Sequence, residues 1–240
     1  MKNNIFKKYL KPHLVDGMTL KRFGSEYDGG YVMPLSILSN ITKLISIGIG
    51  DNMDFEESLS QKNQNLQIYA FDHTITALPS HHIDSKKITF IQKGLGSKES
   101  MLDINQIYSY CDIKSNDTIL LKIDAEGSEW RCNLEKATFQ KTACIIIELH
   151  ALIRKYKYDY YEKCLQQLTA KHLCVHVHGN NSAGLFNIDT FNYPGIIEIT
   201  LVNKSIIHPF QYAVSPFDCP RYIDQTNTQS KKELVFNYWS

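Results

Sequence analysis

Two runs of the 240-residue sequence carry imidazoles and carboxylates at a spacing of two, "ELH" at Glu148 to His150 and "HVH" at His176 to His178. Successive side chains of a strand point to opposite faces. Glu148 and His150 therefore share one face around Leu149, and Cys174, His176 and His178 share one around Val175 and Val177. An imidazole with an ordinary pKa of about 6.5 can take the proton of a hydroxyl near neutral pH, which makes His150 or His178 the candidate general base. His176 reads as a satisfied core histidine. Asp124, closing "LLKID", can orient an acceptor or act as the base itself. Glu148, Glu198, Asn180 and Asn181 are candidates for holding the hydroxyls of a polar acceptor, although the asparagines equally suit a turn. Asp124, His150, His178 and Glu198 are also ligand types of an oxygen and nitrogen metal site. They come from separate runs without a short ligand spacing, so a divalent metal is admissible but not expected, and no residue is assigned to one.

The other chemically informative stretch is "LISIGIGDNMDFEESL", Leu44 to Leu59, where an apolar run passes through Gly48 and Gly50 into an acidic helix-forming segment. Bare backbone lets a ligand approach, and Asp51, Asp54, Glu56 and Glu57 near the helix start leave little room for phosphate. A cationic or zwitterionic ligand is expected. Asp72, twenty-four residues after Gly48, closes the next apolar run, where a carboxylate can accept from both hydroxyls of a ribose. Gly29, Gly30 and Tyr31 in "DGGYV" form either a hairpin or a flap over this ligand, and Gly94 and Leu95 complete the expected cofactor contacts with Asp124. A dinucleotide fingerprint requires a third glycine where this chain has Met53, which counts against an NAD-type Rossmann oxidoreductase.

The elements that must position these groups follow from unbroken apolar runs, which mark strands buried on both faces. They are expected at about 43–48, 66–72, 88–92, 118–124 and 143–149, with two more at 172–178 and 195–203 after a Tyr-rich helix at about 157–170. A helix is expected to start near Glu129, capped by Ser128 after a turn at Gly127. Five βα units ending in an antiparallel pair outline an α/β, Rossmann-like, seven-stranded methyltransferase sheet. It is mostly parallel, with the final antiparallel strand inserted between the fifth and sixth and helices on both faces. Residues 1–41 are expected as an N-terminal helix and flap, 42–205 as the core and 206–240 as an extension of one domain, its tail near "DQTNTQSKKE" mobile.

Lys and Arg number 26 against 25 Asp and Glu, a net charge of +1 that gives no bulk reason to expect nucleic acid as a partner. Six cysteines without CxxC pairing and a start without an apolar run suggest reduced thiols and a cytoplasmic location, and no window is apolar enough to span a membrane. A small molecule or carbohydrate is the expected partner.

"SIGIGDNMDFE", "IYAFD" and "LLKIDAEGSEW", in this order, resemble the FkbM-type S-adenosylmethionine-dependent methyltransferases. The resemblance extends to "RFGSEYDGGYVMP", "IIIELHAL", "HVHGNNSAG", "PGIIEIT" and "SPFDCPRYID", and so covers most of the chain. It implies S-adenosylmethionine as methyl donor, S-adenosylhomocysteine as product, and an oxygen acceptor on a sugar, sugar nucleotide or other small polar metabolite, as in surface-polysaccharide tailoring. Ala125 stands where a larger aliphatic residue is common, which bears on the shape of the acceptor pocket. A non-catalytic cofactor-binding module is the remaining alternative.

Overall fold

Runs such as "KLISI" and "ILLKI" lack the alternation of a half-exposed strand, and the fold buries them on both faces. The computed structural model describes residues 5–98, 101–188, 191–208 and 211–239. In chain order these form α1 (Ile5–Tyr9), β1 (His13–Val15), β2 (Leu20–Gly24), β3 (Gly30–Pro34), β4 (Lys43–Ile47), α2 (Asp54–Lys62), β5 (Gln67–Phe71) and β6 (Ile88–Ile91). Then come β7 (Gly94–Leu95), β8 (Met101–Leu102), α3 (Ile104–Tyr110), β9 (Ile119–Ile123), β10 (Thr142–Leu149), α4 (Tyr158–Ala170) and β11 (His172–Gly179). The chain ends through β12 (Leu185–Ile188), β13 (Phe191–Pro194), β14 (Ile197–Asn203), α5 (Lys204–Ile207) and β15 (Tyr212–Val214).

The central sheet has seven strands in the order β11, β14, β10, β9, β4, β5, β6. β14 runs antiparallel to both β10 and β11, and the other pairs are parallel. This is the Rossmann-like methyltransferase sheet, its last strand inserted between the fifth and sixth. On one face Ile45, Leu121, Ile123, Ile145 and Ile147 pack against α1, α3 and α4; α4 contributes Tyr161, Cys164, Leu165 and Leu168, one stripe at helical spacing. On the other, Leu44, Leu120, Ile146 and Val202 meet Phe55 and Leu59 of α2 and Phe23 and Met33 of the β2–β3 hairpin. Each fully buried Leu, Ile or Phe here contributes about 1.5–3 kcal/mol, so both layers are held mainly by apolar burial.

Four expectations need correction. Among the described residues no helix joins β5 to β6, so the five βα units reduce to fewer. The helix near Glu129 is only a 3₁₀ turn, Ser128–Arg131, and Ser128 makes no side-chain cap; left-handed backbone at Gly127 and Asn133 interrupts any longer helix. On β11 the register shifts between Cys174 and His176, which inserts an extra residue. Cys174 consequently packs with Val177 on the first face, whereas His176 and His178 lie opposite Thr200 and Glu198 on the second. The polar tail folds back over the sheet: Phe236, Tyr238 and Trp239 are buried, Cys219 bridges Phe236, and β15 pairs with β1.

All six cysteines are buried and free. No helix among the described residues is long and apolar enough to cross a membrane.

Candidate active site

From β4 the chain builds outward through β5 and β6, then crosses to place β9 and β10 on the other side, so strand order reverses beside β4. Ligands of open α/β sheets occupy the crevice beyond the carboxyl ends of the strands at such a point. A cavity of about 390 Å³ lies there, within the range of roughly 300–1,000 Å³ usual for small-molecule sites. Gly29, Tyr31, Gly48, Gly50, Asp72, Gly94, Leu95 and Asp124 line it. Gly30 does not: a Cβ there would collide with Ser25 O and the Arg22 guanidinium, so this glycine serves hairpin packing.

The two glycines after β4 do different things. A Cβ on Gly48 (φ +78°) would lie 1.6 Å from the Asp124 carbonyl oxygen, so its bare backbone admits the exit of β9, not a ligand. Its N–H donates to Phe71 O at 2.9 Å and its carbonyl accepts from Lys122 Nζ at 2.7 Å. Gly50 (φ +60°) has open space where a Cβ would be, and its N–H donates to Asp72 Oδ2 at 2.8 Å. The open surface of the turn is therefore at Gly50.

Asp72 Oδ1 accepts from both the backbone N–H and the hydroxyl of Thr74, at 2.7 and 2.6 Å. Burial alone would raise this carboxyl, but the bonds from Thr74 and from the backbone of Gly50, with the Ile49 backbone nearby, outweigh it and hold it below the usual range. Of a carboxylate's about four acceptor positions, three are filled. One ribose hydroxyl can bind directly; the expected second requires the Thr74 hydroxyl to turn away.

Tyr31 reaches inward from the hairpin and its hydroxyl donates to Asp124 Oδ2 at 2.6 Å. Burial, then the charges of Asp124, Glu148 and Glu198, raise its pKa well above the ordinary value and keep it a donor. Next to Asp124, Glu148 is 3% exposed and accepts from Asn180 Nδ2 at 2.9 Å. Burial, reinforced by Asp124 and Glu198, pushes its carboxyl well above the usual range. His150 Nδ1 lies 3.1 Å from Glu129 Oε1, which also accepts the His150 backbone N–H at 2.7 Å. Its Nε2 faces Glu126 Oε2 at 3.3 Å and Glu148 Oε1 at 3.8 Å. Burial opposes charge on this ring, but the bond to Glu129 and the charges of Glu129, Asp124 and Glu126 prevail and raise its pKa. Asp124, Glu148 and His150 each offer a ligand atom, all within 4.8 Å of one another.

His178 departs from the expectation. It is 1% exposed, with Nδ1 3.2 Å from Glu198 Oε2 and Nε2 3.3 Å from Glu233 Oε1. Burial lowers its pKa, but the two carboxylates win and raise it to about 10. A protonated ring with both nitrogens engaged has no lone pair for a base, so that role does not fall to His178. Burial raises the Glu198 carboxyl, yet His178 and Asn227 pull it below the usual range, and it too is engaged by these partners. Asn181 clips the tail, donating to the carbonyls of Thr228 and Lys231 and accepting from Thr228 N–H. Asn180 holds Glu148 and Ser182. Glu198, Asn180 and Asn181 do not line the cavity, because the folded-back tail and the neighbouring strand take up their polar groups. His176 pairs with Asp224 of the same tail at 2.8 Å.

The sequence reading passed over Lys122, Glu129, Asn52 and Thr74. Lys122 is buried within a strand two residues before Asp124 and so shares its face, a signal that period two contains. Met53 is buried just ahead of α2, in the position of the missing third glycine.

No protein family matches the sequence, and no curated protein does. Among solved structures, the chain is similar to a fibrillarin pre-rRNA processing protein of Methanococcus jannaschii, 11% identical over 81% of this chain and 95% of that one, with a TM-score of 0.39. It is also similar to a precorrin-6y C5,15-methyltransferase of Geobacter metallireducens, 11% identical over 70% and 86%, TM-score 0.34. CalO1, a methyltransferase of calicheamicin biosynthesis in its SAH-bound form, is 10% identical over 68% of this chain and 49% of its own, TM-score 0.32. Likeness at this level says nothing about substrate.

Proposed function

We propose that the protein is an S-adenosylmethionine-dependent methyltransferase of the FkbM type. Its acceptor is an oxygen on a sugar, sugar nucleotide or other small polar metabolite, with surface-polysaccharide tailoring as the natural setting. The observation that carries the reading is the open Gly50 turn tied to Asp72 across a cavity at the ends of β4 and β5, with Asp124 facing it from β9. When bound, the donor supplies an electrophilic methyl carbon that an oxygen nucleophile takes in line, while the sulfur keeps the electron pair of the broken C–S bond. Asp72 and the Gly50 edge accept the ribose. Asp51 at its rim, and Asp54, Glu56 and Glu57 in the first turn of α2, favour a cation over a pyrophosphate, which argues against a dinucleotide. Tyr31 fixes the Asp124 carboxylate between the cavity and the Glu148–His150 pair. An acceptor hydroxyl placed there is oriented by Asp124 and loses its proton against the Asp124–His150 group.

Calorimetry with S-adenosylhomocysteine, followed by transfer from labelled donor to pooled sugar nucleotides and glycans, tests this. Saturable binding with label in a glycan product is expected. Absence of binding to either donor form at millimolar concentration refutes the proposal, and binding without transfer to any acceptor favours a non-catalytic module.

A further inference from the structure

Asp124 and Glu148 stand together at the ends of β9 and β10 beside His150, with Glu129 behind the ring, and among the described residues no lysine or arginine forms an ion pair with any of the three, whereas Glu198 is paired with His178. Glu129 is fully buried, and its Oε2 has no hydrogen-bond partner among the described residues. Buried carboxylates left in this state are strongly unfavourable unless a proton or a cation offsets them.

Protons on His150 and Glu148 offset the cluster when nothing is bound, and the orientation of His150 suits a cation in their place. Glu129 Oε1 accepts from the His150 backbone and lies 3.1 Å from Nδ1, so Nδ1 is the nitrogen that donates to Glu129 and Nε2 is the one left facing outward. Nε2 then faces two more acceptors, Glu148 Oε1 at 3.8 Å and Glu126 Oε2 at 3.3 Å on an exposed side chain. These groups repel unless protons or a cation lie between them, and a cation would replace the protons. A buried carboxylate behind a histidine is also how metal-bound imidazoles are held in one tautomer. Neutral donors fix the other two groups, Tyr31 on Asp124 and Asn180 on Glu148. Cis ligands of an octahedral ion stand about 3 Å apart, so atoms already within 4.8 Å need move by little more than rotamer relaxation.

We propose that Asp124, Glu148 and His150 form a binding site for one divalent cation, and that this cation takes the acceptor hydroxyl as a further ligand; the second half rests on the methyltransfer reading above. Two carboxylates with one imidazole suit Mn²⁺ better than Ca²⁺, which prefers oxygen alone. With the cation bound, Asp124 and His150 are ligands and no longer take the proton as in the metal-free reading above: the coordinated hydroxyl becomes more acidic and gives its proton to water as the C–O bond forms and the C–S bond of the donor breaks. Glu129 is then a positioning residue.

The test is titration of the full chain with Mn²⁺, in parallel with S-adenosylhomocysteine binding. One saturable Mn²⁺ per chain is expected. Glu148→Gln, which does not line the donor cavity, should weaken it at least about tenfold, and Glu129→Gln by about 10–100-fold, the usual effect of losing an outer partner. S-adenosylhomocysteine binding should persist in both and reports that they are folded. Should a variant fail to fold, substoichiometric Mn²⁺ added to the unaltered chain should selectively broaden the His150 ring signals. No saturable Mn²⁺ binding at millimolar concentration overturns the proposal, as does binding unchanged in both variants or broadening that spares His150. Retained S-adenosylhomocysteine binding in that case leaves the donor reading intact; Mn²⁺ binding without it does the reverse.

Discussion

Alanine at Gly48 is expected to cost far more stability than alanine at Gly50, although both are glycines with positive φ in one turn. The left-handed conformation costs a non-glycine residue about 1–2 kcal/mol, and this applies to both. At Gly50 the added Cβ meets nothing within 4 Å, so that strain is the whole effect. In a chain of this size it lowers the melting temperature by roughly 2–8 °C. At Gly48 the Cβ would lie 1.6 Å from a backbone oxygen whose ordinary contact begins at 3.4 Å. The exits of β4 and β9 must then part by about 2 Å in a close-packed interior. That movement stretches Asp124 N–H to Ile47 O, now 2.9 Å, and Lys122 Nζ to Gly48 O, now 2.7 Å. Each such bond, left unmade and buried, costs about 1–3 kcal/mol. The total is about 3–8 kcal/mol, a large part of the 5–15 kcal/mol typical of a whole domain. Scanning calorimetry of both variants measures the difference. If Gly48→Ala melts within a few degrees of Gly50→Ala, the close approach of β9 does not constrain this position and the reasoning fails.

Other perturbations follow the same geometry. His178 has a folded pKa of about 10, above its ordinary 6.5, because Glu198 and Glu233 bond to it and Asp224 lies near. Its contribution is therefore complete below about pH 6.5 and lost as pH rises through about 10. Thermal midpoints should fall across that window, and the fall should shrink in His178→Gln. Asp72→Asn replaces the acceptor of the Gly50 and Thr74 bonds and should weaken S-adenosylhomocysteine binding at least about tenfold, since bonds to charged groups contribute about 1.5–3 kcal/mol; calorimetric affinity within twofold of the parent would count against it. Tyr238 is fully buried and stacked on Tyr193 at 5.2 Å, so Tyr238→Ala should cost about 3–5 kcal/mol in denaturant titration. A near-neutral result would mean the tail is not part of the core.

The strands were legible in the sequence because a buried parallel strand is apolar on both faces, and a run such as "ACIIIEL" admits few other placements. The antiparallel insertion of β14 was legible for a related reason, since the segment between β11 and β14 reads as a Gly/Asn-containing loop without the helix a parallel crossover would use. The glycine turn, Asp72 and Asp124 followed from where such strands end. What lay beyond reach were contacts between segments distant along the chain. Glu129 stands 21 residues from His150, and Glu233 stands 55 from His178. Period two also placed Cys174 with His176, until one inserted residue on β11 reversed the face.

Local periodicity and turn chemistry thus determined the sheet and the residues at its carboxyl edge. Only the tertiary structure decided which of those residues are occupied by partners and which remain available. Glu129 leaves the outer nitrogen of His150 facing Glu148 and Glu126, with Asp124 nearby, whereas β14 and the tail close both nitrogens of His178. A histidine's chemistry depends on which acceptors surround its two nitrogens, and those acceptors are brought in by packing, which spacing along one strand does not record.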